Sequence, residues 1–319
     1  MRKHGRAAAL GGFRKALDLE GAVEQRVLLP GAIAVGSGAV KVYVSVDMEG
    51  ISGVADPGDV TPGSPRYERG REFMHGDANA AVAGAFDAGA EAVLVNDAHW
   101  YMNNLQIEKL DRRVRLVSGH NKPRSMMFGI DGLYAAAFFV GYHAAAGAQA
   151  AVLNHTMSGR QLLNVYVNGE VAGETRLNAA LAGHHGVPVA LVTGDDAVCE
   201  EAKRLLGDVE TVAVKEGIDK YTANLVAPEI AQQRIREAAT NAAKRAGELK
   251  PYVVEPPVTL GVDWNSTTIA AACEMIPGTK LAGPREVEYT ANEFPEALDV
   301  LEVMLYIASQ IVERPDTYD

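Results

Sequence analysis

With 319 residues, 48% of them hydrophobic and 22% charged, the chain is too long for a mini-domain held by disulfides and too apolar to be disordered throughout. Its formal net charge of −11 disfavours a phosphate backbone as partner, and two cysteines, Cys199 and Cys273, are too few for a disulfide framework and fit a reducing cytoplasm. No apolar run reaches the roughly 18–20 residues that span a bilayer.

The charge is unevenly placed: residues 1–40 carry +3 and the remaining 279 carry −14. The opening MRKHGRAAALGGF is similar to a signal-peptide start, but Arg14 and Lys15 interrupt its apolar stretch at the lower end of the usual range. The expectation is a poorly ordered basic extension over 1–40, or a chain whose translation starts at Val40. From there, Lys41–Val46 (KVYVSV) reads as a strand, Tyr67–Ala88 as a helix stopped by Gly89, and Ala92–Val95, Val114–Val117, Ala135–Val140 and Ala150–Leu153 as buried apolar runs of strand type. Leu163–Val167 leads into Asn168-Gly169, a hairpin turn signal. A helix from Glu174 to Ala182, a strand Val187–Val192, a helix Asp195–Leu206, a strand Thr211–Val214 and a long helix Pro228–Leu249 follow. Val258–Val262 and Glu286–Thr290 are further strands, and Phe294–Val312 is a closing helix.

Strands alternating with helices predict an α/β fold: a central, mainly parallel or mixed sheet flanked by helices, with a smaller C-terminal α/β part. The expected division is the extension 1–40, a catalytic metal-binding part 41–215, and a part 216–319 for packing and oligomerisation. Pro251–Pro257 and Lys215–Ala227 are the linker candidates.

Sites in such sheets gather at the carboxyl ends of strands. Asp47 and Glu49 follow the first strand run, Asn96, Asp97 and His99 the second, Gly141, Tyr142 and His143 another, and Asn154 and His155 another. Asp47 and Glu49 are two apart, so in extended chain their carboxylates face one side and repel unless a cation lies between them. Imidazole with carboxylate suits Zn²⁺, Mn²⁺ or Fe²⁺ better than Mg²⁺ or Ca²⁺, and two metals bridged by one carboxylate form a hydrolytic site. Taken singly, each residue also has a bland reading: a turn carboxylate for Asp47 and Glu49, a surface loop residue for His99, a packed core imidazole for His143, and a helix-start carboxylate for Glu174. No HExxH, CxxC, GxGxxG, GxxxxGK[ST] or GxSxG occurs. Gly194-Asp195-Asp196 is a helix-capping turn before it is a metal site.

The blocks SVDMEGISG (45–53), YERGR (67–71), VNDAH (95–99), MNNL (102–105), GYHA (141–144), NHTM (154–157), GE-x-x-LNA (173–179) and IPGT (276–279), in this order and spacing, resemble the M55 family of metallopeptidases. The resemblance runs from about Val40 to the C-terminus. It implies a cytoplasmic aminopeptidase with two zinc ions per subunit. Such an enzyme hydrolyses the N-terminal residue of short peptides, D-amino-terminal ones first, by metal-activated water, in a ring-like homo-oligomer that is a decamer in the best-known case. By the same resemblance Asp47 bridges both zincs, Glu49 and His143 complete one, His99 and Glu174 complete the other, and His155 is catalytic without being a ligand. The departures are Asn154, where the family usually has serine, and the Ala/Gly-rich loop Ala144–Ala151. The rival readings are a metal-dependent phosphohydrolase, since Asp-x-Glu is similar to Asp-x-Asp, and a peptide-binding protein with a structural zinc.

Overall fold

In the computed structural model, which describes residues 40–311, Val42, Val44 and Val46 of strand β1 (Lys41–Val46) face one hydrophobic core and Tyr43 faces a second on the other side. A strand covered on both faces needs apolar residues at odd and even positions alike, which is why KVYVSV is a continuous run and not an alternation. The expected basic extension lies outside the described residues.

β1 is an interior strand, third in order, of a seven-stranded sheet. The other members are β2 (Ala92–Asp97), β3 (Arg115–Val117), β4 (Ala136–Tyr142), β7 (Val189–Asp195), β8 (Glu210–Asp219) and β9 (Thr222–Leu225), in the order β3-β2-β1-β4-β7-β8-β9. All neighbours are parallel except the antiparallel β8–β9 hairpin. A second, five-stranded antiparallel sheet joins β5 (Leu162–Val167) and β6 (Glu170–Val171) to β10 (Val258–Trp264), β11 (Lys280–Leu281) and β12 (Glu286–Ala291). The boundary expected at 215–216 falls inside β8, and this second sheet takes strands from both sides of it.

Among the described residues seven α-helices accompany these strands: α1 (Pro57–Val60), α2 (Tyr67–Asp87), α3 (Glu174–His184), α4 (Asp196–Leu206), α5 (Pro228–Arg245), α6 (Thr267–Cys273) and α7 (Phe294–Gln310). Helices α2 and α5 cover the core that holds Val42, while α3 and α7 help close the other. The α2–α5 contact is backbone-close: a Cβ on Gly84 would lie 2.4 Å from the Arg236 carbonyl oxygen, and the Thr240 hydroxyl donates to the Gly84 carbonyl at 3.1 Å. Asp195 caps α4, its carboxylate accepting from the Val198 amide. Among the described residues no helix is long and apolar enough to cross a membrane.

Two expected features differ. Ala150–Leu153, buried from Ala151 on, forms no strand: Ala150 and Leu153 have φ of 48° and 52°, and the amides of Val152 and Leu153 donate to the Asp195 carboxylate and the Lys220 carbonyl instead of to a ladder. Lys215–Ala227 is not a linker but holds the second half of β8 and β9, which are mostly exposed after Lys215 and show no apolar period to read.

Candidate metal centre

The parallel strands deliver side chains to one sheet end. Asp47 follows β1, and its amide donates to Val140 O at 2.8 Å, so the loop stays against β4. The approach is so close that a Cβ on Gly50 would lie 1.8 Å from Tyr142 O, a position open only to glycine. His99 follows β2, which the Ala98 amide ties to Val46 O at 2.8 Å. His143 follows β4, Glu174 opens α3, and His155 comes from the irregular segment before β5. Every sequence-predicted site residue, Asp47, Glu49, His99, His143, His155 and Glu174, is therefore brought to one cluster.

Asp47 is central. Its Oδ1 lies 3.4 Å from His99 Nδ1 and its Oδ2 lies 3.5 Å from His143 Nε2. His99 Nδ1 is also 3.0 Å from Glu49 Oε2, and His143 Nε2 is 3.3 Å from Glu174 Oε2. His155 stacks on His143, with ring centroids 4.0 Å apart and planes 12° apart, and its Nε2 lies 3.8 Å from Glu174 Oε1. Asp47, Glu49 and His143 offer ligand atoms within 4.8 Å of one another, as do His143, His155 and Glu174.

The outward nitrogens decide the imidazole tautomers. His99 Nε2 meets Val60 O at 2.9 Å, His143 Nδ1 meets Ala144 O at 3.1 Å, and His155 Nδ1 meets Leu153 O at 2.8 Å. A carbonyl only accepts, so each outward nitrogen carries the proton and donates it. In the neutral ring the inward nitrogen is then a lone pair. Lone pairs of His99 and His143 aimed at carboxylate oxygens repel them unless a cation stands between. Asp47 Oδ2, Glu49 Oε2 and His143 Nε2 are buried with no hydrogen-bond partner, a costly arrangement that a divalent cation relieves at all three atoms. The residues thus fit a metal.

Without a cation, the carboxylates instead favour protonated imidazoles. Burial, then the neighbouring Glu49 charge, push the Asp47 carboxyl up to about 7. Burial also acts to raise Glu49, but His99 with its charge and hydrogen bond outweighs it, and Glu49 is held well below the usual carboxylate range. Burial opposes charge on His99 and His143, yet Glu49 and Glu174 respectively hold both well above the ordinary histidine value. His155 is lowered, by burial and then by His143. One buried cluster that pushes like groups in opposite directions is unsettled as protein alone.

Beneath it lies a neutral layer. Tyr142 OH donates to Ser45 Oγ at 2.8 Å, and Asn178 Nδ2 donates to Tyr142 OH at 2.9 Å. Sequence reasoning missed Lys215. Fully buried, its Nζ donates to the carbonyls of Glu49, Ile51 and Val54 at 2.6, 3.0 and 2.7 Å, tying down the loop that carries Asp47 and Glu49. A lysine inside an otherwise ordinary strand run carries no local signal, and only the fold brings the three carbonyls to it. Lys215→Met keeps the stem and removes the donor, leaving the buried carbonyls of Glu49 and Val54 unmet and that of Ile51 with the Val54 amide alone. Stability is expected to fall by roughly 3–5 kcal/mol, read as a lower denaturant midpoint. An unchanged midpoint would mean that water reaches these carbonyls.

The family model for M55 peptidases, described as D-aminopeptidase, matches residues 40–303. The chain belongs to the M55 peptidase family. A D-aminopeptidase of Bacillus subtilis (strain 168) is 38% identical over 270 residues, covering 84% of this chain and 98% of that protein. A solved structure, the Zn-dependent D-aminopeptidase DppA from Bacillus subtilis, described as a self-compartmentalizing protease, superposes with a TM-score of 0.83 at 36% identity, over 86% of this chain and all of that one. The M55 match begins at residue 40, where the first strand begins one residue later.

Proposed function

We propose that this M55 chain is a zinc-dependent aminopeptidase that removes the N-terminal residue of short peptides, D-amino-terminal ones first. The observation that carries the reading is the convergence of three carboxylates and three imidazoles on one cluster, all of which but His143 line a cavity of about 750 Å³. That volume is within the range of small-molecule sites, and a dipeptide fits it.

Asp47 presents one oxygen to each half of the cluster and is the bridging ligand of this reading. In this reading Glu49 and His143 would hold one ion and His99 and Glu174 the other, with Asp47 shared between them. Bound zinc would supply Lewis-acid polarisation of the scissile carbonyl and acidify water near neutral pH. Val60 O and Ala144 O hold the His99 and His143 tautomers that such ions need. His155 differs from both: its side chain is 20% exposed, and with Nδ1–H donated to Leu153 O its Nε2 is free to take a proton and pass it to the leaving amine. Buried side chains on a rigid sheet end fix these groups before substrate arrives, so little reorganisation is needed in the reaction.

All six residues lie within 41–215, which the reading makes the catalytic part. Residues 216–319 contribute α7 to the cavity wall and are assigned to packing and assembly. The description of the DppA structure as self-compartmentalizing supports a closed homo-oligomer, with the decamer as the size to test by light scattering. The two cysteines, both buried and unpaired, are in keeping with a cytoplasmic setting.

Release of D-Ala and L-Ala from matched dipeptides, with and without chelator, tests the reading. D-Ala is expected to be released faster, release to stop with chelator, and zinc to restore it. Hydrolysis indifferent to chelator, or activity on phosphate esters in place of peptides, would overturn it.

A further inference from the structure

Opposite in charge to the acidic cluster, the same cavity is lined by three full cations: Arg124, Arg160 and Lys220. Arg160 and Lys220 are exposed, whereas Arg124 is half-buried and held in an unusual way. Arg124 and Ser125 are consecutive non-glycine residues with φ of 59° and 42°, and both line the cavity. Left-handed backbone at two such residues costs energy and persists only where the surroundings impose it. Here α7 imposes it: the Arg124 amide donates to Glu302 Oε2 at 3.2 Å, and the Arg124 Nε lies 3.6 Å from Asp299 Oδ1. That side-chain pair is loose, and the two terminal guanidinium nitrogens have no hydrogen-bond partner among the described residues. Burial raises both acids beside it, Glu302 to about 7.

Resting on the aminopeptidase reading, we infer that Arg124 binds the C-terminal carboxylate of the substrate, so that this cavity selects dipeptides and other short peptides with a free carboxyl end. A guanidinium presents a planar fork that meets a carboxylate bidentately, which the point charges of Lys220 or of a replacement lysine do not. Arg124 and the cluster residues Asp47, Glu49, His99 and Glu174 line the same cavity, within which a dipeptide extends at most about 7 Å. Arg124 is thus a specificity-determining residue remote from the bond that breaks. Its loss weakens ground-state and transition-state binding together and acts mainly through KM.

The experiment compares D-alanyl-D-alanine with its C-terminal amide in the full chain, in Arg124→Gln and in Arg124→Lys, with melting temperature and zinc content recorded for each. The unsubstituted protein is expected to favour the acid by roughly 10–100-fold in kcat/KM. In Arg124→Gln that ratio falls to about one, chiefly through a raised KM for the acid, and Arg124→Lys lies between. An unsubstituted protein indifferent to the amide, or an Arg124→Gln protein that keeps the preference, overturns the assignment. If Arg124→Gln fails to fold, the acid-to-amide ratio of the unsubstituted protein and of Arg124→Lys decides. Should the unsubstituted protein cleave neither compound, the peptidase reading fails by itself. Calorimetric binding of the same two compounds then decides the carboxylate site, tighter acid binding upholding it and equal binding refuting it.

Discussion

Asp47→Ala protein is expected to be purified with none of the two zinc ions per subunit, the largest single effect on metal content that any one side chain should have. The two Asp47 oxygens face different imidazoles, His99 at 3.4 Å and His143 at 3.5 Å, so the carboxylate belongs to both halves of the cluster. Removing it takes one ligand from each ion at once. Glu49→Ala or His143→Ala is expected to deplete mainly one ion, and His99→Ala or Glu174→Ala mainly the other. Elemental analysis of the purified variants reads both outcomes. The metal-free fold should tolerate the Asp47 change, because burial and the Glu49 charge already press its carboxyl toward the neutral form. Stabilisation on adding zinc should be lost, since a ligand stabilises only the folded state it binds. Full zinc occupancy in Asp47→Ala would end the dinuclear assignment.

For His155→Ala the expected pattern is the reverse: zinc content and melting temperature retained, with kcat lower by roughly 10²–10⁴-fold. Three observations separate His155 from its neighbours. It is partly exposed where His99 and His143 are not, and it stacks on His143 face to face. It also approaches Glu174 only to 3.8 Å, farther than His143 does. Because proton transfer to the leaving amine is made only in the transition state, kcat and kcat/KM should fall by similar factors. Early melting with near-normal turnover would make His155 a packing residue. Depleted zinc would make it a ligand, as its place in a group with His143 and Glu174 permits geometrically.

The contrast between what one-dimensional reading reached and what it did not follows from the range of the forces involved. Local patterns were sufficient for β1, whose continuous apolar run demands burial on both faces, for α2 ending at Gly89, and for the Asn168-Gly169 hairpin between β5 and β6. The M55 blocks, in order and spacing, named all six residues of the cluster, but Asp47, His99, His143 and Glu174 are separated by tens of residues. Only parallel pairing of β1 with β2 and β4 brings the strand ends before Asp47, His99 and His143 side by side, and the packing of α3 sets Glu174 against His143. Tertiary structure likewise overrode the apolar run Ala150–Leu153, where the Asp195 carboxylate and the Lys220 carbonyl satisfy the amides and spare the segment a ladder. It made strand of polar Lys215–Ala227, because an exposed edge hairpin needs backbone pairing and little apolar surface. It alone decided the roles of Lys215 and Arg124. A charge that meets carbonyls from residues more than 150 positions away, or an arginine whose backbone amide is held by a carboxylate 178 positions further along the chain, has no signature in its own neighbourhood of sequence, since its energy comes from groups that the fold, and not the chain, makes adjacent.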